Sequence, residues 1–210
     1  WGLYIARYCL GGEEIASFVS MAVIVPTLIG AAIAVQLCKK YDKFKIFYFS
    51  YMFALILGIV RYIAGYENMM VYVILNALGG FPLGIAAILQ YQFTPDCYEY
   101  GQYKTGLKMR GVTFAAQTFF TKLNGAIATA VSVFALTLIG FKEGEGVIQA
   151  AGFADKLWTF SCLGSIIGGI GTLLILRLYK LNDHDVQLMS KCNNGEITRE
   201  EAEAQMINRY

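Results

Sequence analysis

The run GVTFAAQTFFTKLNGAIATAVSVFALTLIG, residues 111–140, contains a single charged residue, Lys122, near its middle. An α-helix needs about 20 mainly apolar residues to cross the hydrocarbon core of a bilayer. The run therefore predicts a transmembrane helix with an ammonium group close to the midplane. Insertion scales assign a cost of roughly 2.5–3.5 kcal/mol to a lysine at that depth, so this lysine is expected to have a function that offsets the cost.

The composition of the whole chain is also that of a membrane protein. Of 210 residues, 57% are hydrophobic and 15% are charged, whereas about 25% of a soluble domain is charged. Five segments are long and apolar enough to cross a bilayer: 15–38, 46–65, 69–93, 111–140 and 157–179. Residues 1–10 are apolar but too short, and they predict the end of a sixth helix that begins outside this chain. The prediction is an all-α membrane protein, with a helical bundle in residues 1–182 and a polar tail in residues 183–210.

Several classes of function are disfavoured by the sequence. The net charge of +2 is too small to indicate nucleic-acid binding. The cysteines are scattered without a C-x-x-C motif, so neither a disulfide framework nor a metal site is predicted. His184, the single histidine, lies in the tail away from any Ser-His-Asp arrangement. An enzyme is therefore not expected, and no catalytic residue or organic cofactor is assigned.

Most lysine and arginine residues, 12 of the 17, fall in three regions that alternate with regions poor in cations. The three are residues 39–45, residues 104–110 and the chain from Arg177, near the end of the last span, onward. If all five segments cross the membrane, these regions lie on one side, which the positive-inside rule makes cytoplasmic. The opposite loops are residues 11–14, 65–68 and 141–155. In the tail, Thr198 and Glu201 have the spacing of a capping box and predict a short helix.

Glycine and proline inside the predicted spans indicate either tight helix packing or points of flexing. The third complete span holds four of them: Gly79, Gly80, Pro82 and Gly84. Because proline removes a backbone donor and crowds the carbonyl four residues earlier, a kink or a break is expected at Pro82. Two further pairs have the spacing that lets a neighbouring helix approach closely: Gly30 with Ala34, and Gly164 with Gly168. Tight packing is the simpler interpretation for all of them.

The two faces of the lysine-bearing helix differ in chemistry. At 100° per residue, one face collects small and polar residues: Gly111, Thr118, Lys122, Gly125 and Thr129, with Thr121 and Ser132 at its edge. Gln117 and Asn124 lie beside this polar stripe and add hydrogen-bonding groups, while aromatic and branched residues occupy the other face. Such a stripe is typical of a helix that lines a cavity.

Two structural interpretations of Lys122 compete with a functional one. The lysine could form a structural ion pair, or it could extend its ammonium to the headgroups. Snorkelling is difficult from the centre of so long a span, and every Asp and Glu of the chain falls near a loop or in the tail. The counter-charge is therefore expected from a ligand, a partner or a segment outside this chain. An intramembrane ionisable residue with polar neighbours typically marks a solute or ion pathway.

The stretch TPDCYEYGQYKTGLKMRGVTFAAQTFFTKLNGAIA, residues 94–128, resembles a segment of a known transporter family. The matching features are Asp96, the run EYGQYKTG at 99–106, Gln117 and Lys122 at their spacing. Three shorter stretches agree with the same family: YIARYCLGGEE at 4–14, CKKYDKFK at 38–45 and LYKLND at 178–183. The family is the glycoside-pentoside-hexuronide:cation symporters, the melibiose-permease-like branch of the major facilitator superfamily.

This resemblance implies a twelve-helix fold of two pseudo-symmetric halves, of which this chain is the C-terminal six-helix half. Solute binds between the halves in that family, and Na⁺, H⁺ or Li⁺ is cotransported, held mainly by aspartates of the N-terminal half. By position, Lys122 resembles the lysine that faces the cation and sugar region. Thr118 and Thr121 resemble sugar-side positions, and Gln90 matches a glutamine of the tenth helix.

One position departs from members of the family that carry galactosides. Those members can have a tryptophan three residues before the glutamine, where this chain has Ala87. Stacking on a sugar ring from that place is therefore lost, although Tyr91 could substitute from a neighbouring face. The resemblance leaves the identity of the sugar open.

The charged residues between the third and fourth complete spans resemble the inner gate of the family. In that gate, charges of the two halves pair when the cytoplasmic side is closed. The predicted gate residues are Asp96, Glu99, Lys104, Lys108 and Arg110. The alternative interpretation is a solvated loop that only sets the topology.

The sequence and the resemblance together predict a secondary active transporter, a symporter of a sugar or glycoside coupled to a cation by alternating access. Its expected partners are the sugar, membrane lipid and an N-terminal six-helix half outside this chain. A bacterial cytoplasmic (inner) membrane is the expected location. A non-transporting scaffold, a lipid-handling protein or a sensor on the same fold is the alternative.

Overall fold

A computed structural model describes residues 2–12, 14–142, 144 and 149–209. The predicted loops at 11–14 and 141–155 and the two chain ends therefore lie partly outside the described residues. Within them the chain forms eight helices: α1 Gly2–Cys9, α2 Glu14–Leu37, α3 Lys43–Ala64, α4 Met69–Thr105, α5 Arg110–Leu138, α6 Phe153–Leu176, α7 Asp183–Asn193 and α8 Arg199–Gln205.

Helices α2 to α6 are long and apolar enough to cross a membrane, judged by length and composition. The described residues contain no β-strand. The predicted class, an all-α membrane protein, is therefore confirmed. Most of these helices begin and end within about four residues of the predicted spans. The large difference is at the end of α4.

Helix α4 is much longer than the span predicted at 69–93. It runs without interruption through Pro82 and Pro95 to Thr105. Of the kink or break expected at Pro82, the break is therefore wrong, and the kink stays a prediction. The residues from Thr94 to Thr105 are helical because their side chains find partners: Gln102 and Tyr103 are buried, Tyr103 donates to Glu203 of α8, and Glu99 accepts from Asn193 of α7. The helix ends where Gly106 adopts a left-handed conformation at φ 71° and donates its N–H to the carbonyl of Gln102.

Helices α2 and α4 pack closely through glycine. A Cβ added at Gly84 would overlap the carbonyl oxygen of Thr27, and one at Gly30 would overlap that of Phe81. Ala34, the small residue one turn after Gly30, is fully buried. The tight-packing interpretation is confirmed for this pair of helices.

The last span does not share this close packing. A Cβ added at Gly164 or Gly168 would have no neighbour within 4 Å in the described part of the chain. Only Gly169 of that span faces another helix, at Leu55 of α3. The close approach expected at Gly164 and Gly168 is therefore not observed, because α6 meets α3 with a different face.

Helix α5 is attached to the rest of the bundle mainly by its last turns. Ala135 and Leu136 are buried, and Leu136 joins an apolar cluster with Trp158 and Leu157 of α6. Residues 118–131 of α5 are exposed throughout. The bundle therefore leaves most of the lysine-bearing helix uncovered.

The tail is an ordered part of the structure. Helix α8 begins at a capping box of Thr198 and Glu201, which confirms the helix predicted there. Helix α7 was not predicted; Met189 within it is fully buried, and Asn193 at its end bonds to Glu99 of α4. The loop at 38–42, the end of α4, the residues at 177–182 and both tail helices meet at one end of the bundle, which we call the basic end.

A buried carboxylate connects the two ends of the tail. Asp185 is fully buried and accepts hydrogen bonds from the backbone N–H of Ile207 at 2.8 Å and of Asn208 at 3.0 Å. Burial opposes the charged form, but these bonds outweigh it and lower the pKa of Asp185 below its ordinary value. The carboxylate thus fixes the segment after α8 against the start of α7.

Candidate functional site

The polar stripe of α5 is open over most of its length. Lys122 is exposed, and among the described residues no carboxylate lies within 4 Å of its ammonium. Asn124 is exposed as well, and Gln117 is half-buried. The structure therefore leaves Lys122 and Asn124 accessible, but at 100° per residue Asn124 lies about 160° around the helix from Lys122.

The hydroxyl groups of the stripe are bonded within their own helix. Thr118 donates to the carbonyl of Phe114 at 3.0 Å, and Thr121 donates to that of Gln117 at 2.8 Å. Each oxygen keeps free acceptor capacity, because a hydroxyl has two lone pairs. The stripe can thus accept hydrogen bonds from a polyhydroxylated solute, while its single cation attracts negative charge.

The opposite face of α5 is equally uncovered. Phe119 is 61% exposed and Phe120 is 63% exposed. An aromatic face of this kind suits lipid or an apolar protein surface, whereas the polar stripe does not. The helix therefore needs two different environments, one on each side.

Gln90 and Tyr91 lie on α4, and both are exposed. In the part of the chain that the structure describes, no hydrogen bond joins either residue to the stripe on α5. The two helices have few contacts with each other. The predicted site is thus divided between two surfaces of this chain that the described residues do not connect.

At the basic end, Asp96 is buried and paired within this chain. Its carboxylate lies 2.8 Å from the ammonium of Lys43, which also lies 3.3 Å from Asp183. The backbone N–H of Lys43 donates to Asp183, and the N–H of Asp183 donates to Asp42 at 2.9 Å. These contacts hold the starts of α3 and α7 to α4.

Glu99 also has a partner in the tail. Asn193 of α7 donates to both the carboxylate and the backbone carbonyl of Glu99, at 2.8 and 2.9 Å. One turn later, Tyr103 donates to Glu203 of α8 at 3.0 Å. Hydrogen bonds, first from Arg199 and then from Tyr103, lower the pKa of Glu203. The acidic members of the predicted gate thus connect α4 with the rest of the basic end.

The cationic members of the predicted gate remain apart from these pairs. Lys104, Lys108 and Arg110 are exposed and, among the described residues, have no carboxylate within 4 Å. The guanidinium of Arg110 lies 5.9 Å from the ring centroid of Phe114 on its own helix. The structure therefore does not bring the five predicted gate residues into one cluster.

Sequence reasoning missed a second polar group inside the bundle. Arg61 of α3 donates to Asn76 of α4 at 3.2 Å, and its guanidinium lies 5.9 Å from the ring centroid of Trp158. Both polar residues line a cavity of about 490 Å³, together with Tyr51 and Ser165. A signal was present, because Arg61 is the one charged residue between positions 46 and 65.

The candidate site is therefore a polar, lysine-bearing surface on a bundle of membrane-spanning length, with charged and polar pairs at its basic end. Comparison with known proteins agrees with that architecture: residues 2–183 match the family described as MFS/sugar transport protein. The chain belongs to this family. Membership confirms the resemblance recognised in the sequence and the major facilitator fold class. It also agrees with the expectation that the chain is not an enzyme, because the family consists of transporters.

Curated relatives of the MFS/sugar transport chain include two proteins of Escherichia coli (strain K12). The putative glycoside/cation symporter YagG is 22% identical over 189 residues, which cover 90% of this chain and 41% of the relative. The putative sulfoquinovose importer is 23% identical over 210 residues, covering 96% of this chain and 44% of the relative. The chain thus spans less than half the length of these relatives. No solved structure matches it.

The basic end of this family member contains residues whose role the sequence did not reveal. Lys43 was counted only among the cations that set topology, and Asp183 only as the last residue of LYKLND. The two residues are 140 positions apart along the chain, so no local pattern indicates their contact.

In the described residues, no group of three or more His, Cys, Asp or Glu side chains could hold a metal ion.

Proposed function

We propose that this chain is the C-terminal half of a secondary active transporter that carries a sugar or glycoside with a cation by alternating access. Its partner would be an N-terminal six-helix half. The proposal places the basic end in the cytoplasm, as the positive-inside rule indicates, and the protein in a bacterial inner membrane. One E. coli relative is named an inner membrane symporter.

The uncovered polar stripe on α5 is the observation that carries the proposal. A lysine in a membrane-spanning helix is expensive unless it faces water, a ligand or an opposite charge. The described residues supply no carboxylate to Lys122. Acidic residues of the other half would supply the opposite charge, and a solute in a central cavity shared by the two halves would supply the ligand.

Lys122 would couple the cation to the solute. In the empty carrier its ammonium would neutralise acidic groups of the other half, and the bound cation would replace it there. The released ammonium and the stripe hydroxyls would then bind the solute. Coupling arises because the occluded state would be favourable only when both sites are filled or both are empty.

The basic end would form the cytoplasmic closure. Asp96 and Glu99 are already held inside this chain, at Lys43 and Asn193. The exposed cations Lys104, Lys108 and Arg110 would then pair with acidic groups of the other half when the cytoplasmic side closes. This division of roles assigns the acidic residues to the rigidity of one half and the basic residues to contact between halves.

Transport in vesicles tests the proposal. The protein that carries this chain, at its full natural length, is reconstituted and assayed for counterflow of labelled sugars. The panel includes neutral glycosides and sulfoquinovose, because relatives are named for both classes. Lys122→Gln should abolish accumulation against a gradient, whereas Lys191→Gln, an exposed cation of the tail, should retain it.

Two results would contradict the proposal. Normal coupled accumulation by Lys122→Gln would show that the ammonium has no part in coupling. Absence of counterflow for every sugar in the wild-type protein would favour the alternative, a non-transporting scaffold, lipid-handling protein or sensor on this fold.

A further inference from the structure

Two concave surfaces adjoin each other near the basic end. The first is an apolar groove of about 530 Å³ between α2, α3 and α4, lined by Ile33, Phe49, Phe53 and Ile85 among others. The second is a polar cleft of about 630 Å³ between residues 38–45, which are the loop and the first turn of α3, and residues 179–187. Tyr41 and Lys45 line both of them. The two surfaces therefore meet where a membrane-spanning helix begins.

The cleft is strongly basic. Four lysines line it: Lys39, Lys40, Lys45 and Lys180. The two carboxylates in its wall, Asp42 and Asp183, already accept backbone N–H groups and, for Asp183, the ammonium of Lys43. Within the described residues, Lys39, Lys40 and Lys45 have no carboxylate within 4 Å.

The groove has the opposite character. It is lined almost wholly by apolar side chains, and several of them are open to the surroundings: Phe49 is 60% exposed and Phe53 is 45% exposed. It extends from Tyr41, at the end of the bundle, to Phe81 and Pro82 in the middle of α4. An occupant that filled both surfaces would be apolar at membrane depth and anionic at the headgroup level.

We propose that the two surfaces form a binding site for one anionic phospholipid. The phosphate would lie in the cleft near Lys39, Lys40 and Lys45, and an acyl chain would lie in the groove along α3. The chemistry fits because lysine clusters directly beside a membrane span attract anionic headgroups. A tyrosine at the junction suits the interface between hydrocarbon and headgroups. This site goes beyond solute transport and depends on residues that the proposed carrier mechanism does not use.

Lipid titration of the full-length protein tests the headgroup part. Native mass spectrometry in detergent compares dioleoylphosphatidylglycerol, dioleoylphosphatidylcholine and glycerol phosphate. Phosphatidylglycerol should bind more tightly than phosphatidylcholine, and glycerol phosphate should not bind at the same concentrations. The Lys39→Gln/Lys40→Gln/Lys45→Gln variant should lose about fivefold in affinity per lysine, or roughly a hundredfold.

A matched variant controls for net charge. Lys104→Gln/Lys108→Gln/Lys191→Gln removes three cations at the same end but outside both surfaces, and it should bind phosphatidylglycerol like the wild type. Equal losses of phosphatidylglycerol affinity in the two variants would overturn the proposal, because the lipid would then be attracted by the net charge and not by this site. Equal binding of the two lipids by the wild type, or tight binding of glycerol phosphate, would also overturn it.

A fluorescence measurement tests the acyl-chain part. Tryptophan introduced by Phe53→Trp lies in the groove, so phosphatidylglycerol with brominated chains should quench the added fluorescence more than brominated phosphatidylcholine at the same mole fraction. The three-lysine variant should remove that difference. If another part of the transporter fills the groove, neither lipid will quench the introduced tryptophan, and the proposal fails even when sugar transport is normal.

Discussion

Replacing Lys43 with glutamine removes the cation that lies between the carboxylates of Asp96 and Asp183. The Asp96 side chain is only 7% exposed and that of Lys43 is 18% exposed, with 2.8 Å between the charged atoms. This pair is therefore close to the buried limit, where removal of one partner costs about 3–5 kcal/mol. The cost arises because a carboxylate is left without its counter-charge in a poorly solvated place.

The partner substitution is expected to cost less. Asp96→Asn leaves Lys43 with Asp183 at 3.3 Å, so its ammonium keeps a counter-charge. The loss is then nearer that of one hydrogen bond to a charged group, about 1.5–3 kcal/mol. In Lys43→Gln/Asp96→Asn the buried charge is gone, so the double variant should be more stable than the sum of the two losses by about 2 kcal/mol or more.

The two single variants, the double variant and the wild type form a double-mutant cycle. Thermal unfolding of each full-length protein in detergent, followed by tryptophan fluorescence, measures it. Trp158 is 4% exposed and reports on the bundle. Because the Tm shift for a given loss becomes smaller as the chain becomes longer, and the relatives are more than twice as long as this chain, Lys43→Gln should lower Tm of the full-length protein by about 4 °C. Lys45→Gln, an exposed cation two residues later, should change it little. A small effect of Lys43→Gln, equal to that of Lys45→Gln, would refute the reasoning. Additive losses in the double variant would refute it as well.

Two further predictions concern helix packing and the tail. Gly84→Ala should destabilise the protein by about 1–3 kcal/mol through overlap with the carbonyl of Thr27, whereas Gly79→Ala on the same helix has open space and should cost nothing. Equal Tm values for the two variants would contradict this. The Asp185 carboxylate stabilises the folded tail, and its pKa is lowered in the folded protein. This stabilisation is therefore complete above the ordinary aspartate pKa of about 3.9 and is lost as the pH falls through the lower pKa of the folded state. In the wild type, the N–H of Ile207 should therefore lose protection from hydrogen exchange only in strong acid. In Asp185→Asn its protection should already be reduced at pH 7. Identical protection in both proteins would contradict the role of the Asp185 carboxylate in holding this segment.

The membrane-spanning elements were predictable from the sequence because their signal is local. A run of about 20 apolar residues is stable in a bilayer only as a helix, whatever its neighbours are. The positions of α2, α3 and α5 therefore followed from composition, and so did the capping box of α8. Lys122 was identified in the same way, as a charge where the local environment disfavours one.

The end of α4 was not predictable in this way. Residues 94–105 are polar and contain Pro95, which locally indicates a connection between helices. They are helical in the structure because Gln102 and Tyr103 are buried and Glu99 bonds to Asn193, 94 positions away. Propensity is a weak signal, and these tertiary contacts override it.

By itself the sequence determined the number of apolar spans, the end of the bundle at which most cations collect, and the helix that carries a lysine at membrane depth. Only the tertiary structure decided which charges pair, that α2 and α4 touch through Gly30 and Gly84, and that a basic cleft adjoins an apolar groove. The physical reason is that transfer into lipid depends on each segment's own side chains. Ion pairs, close helix contacts and cavities depend on the distance between residues far apart in the chain.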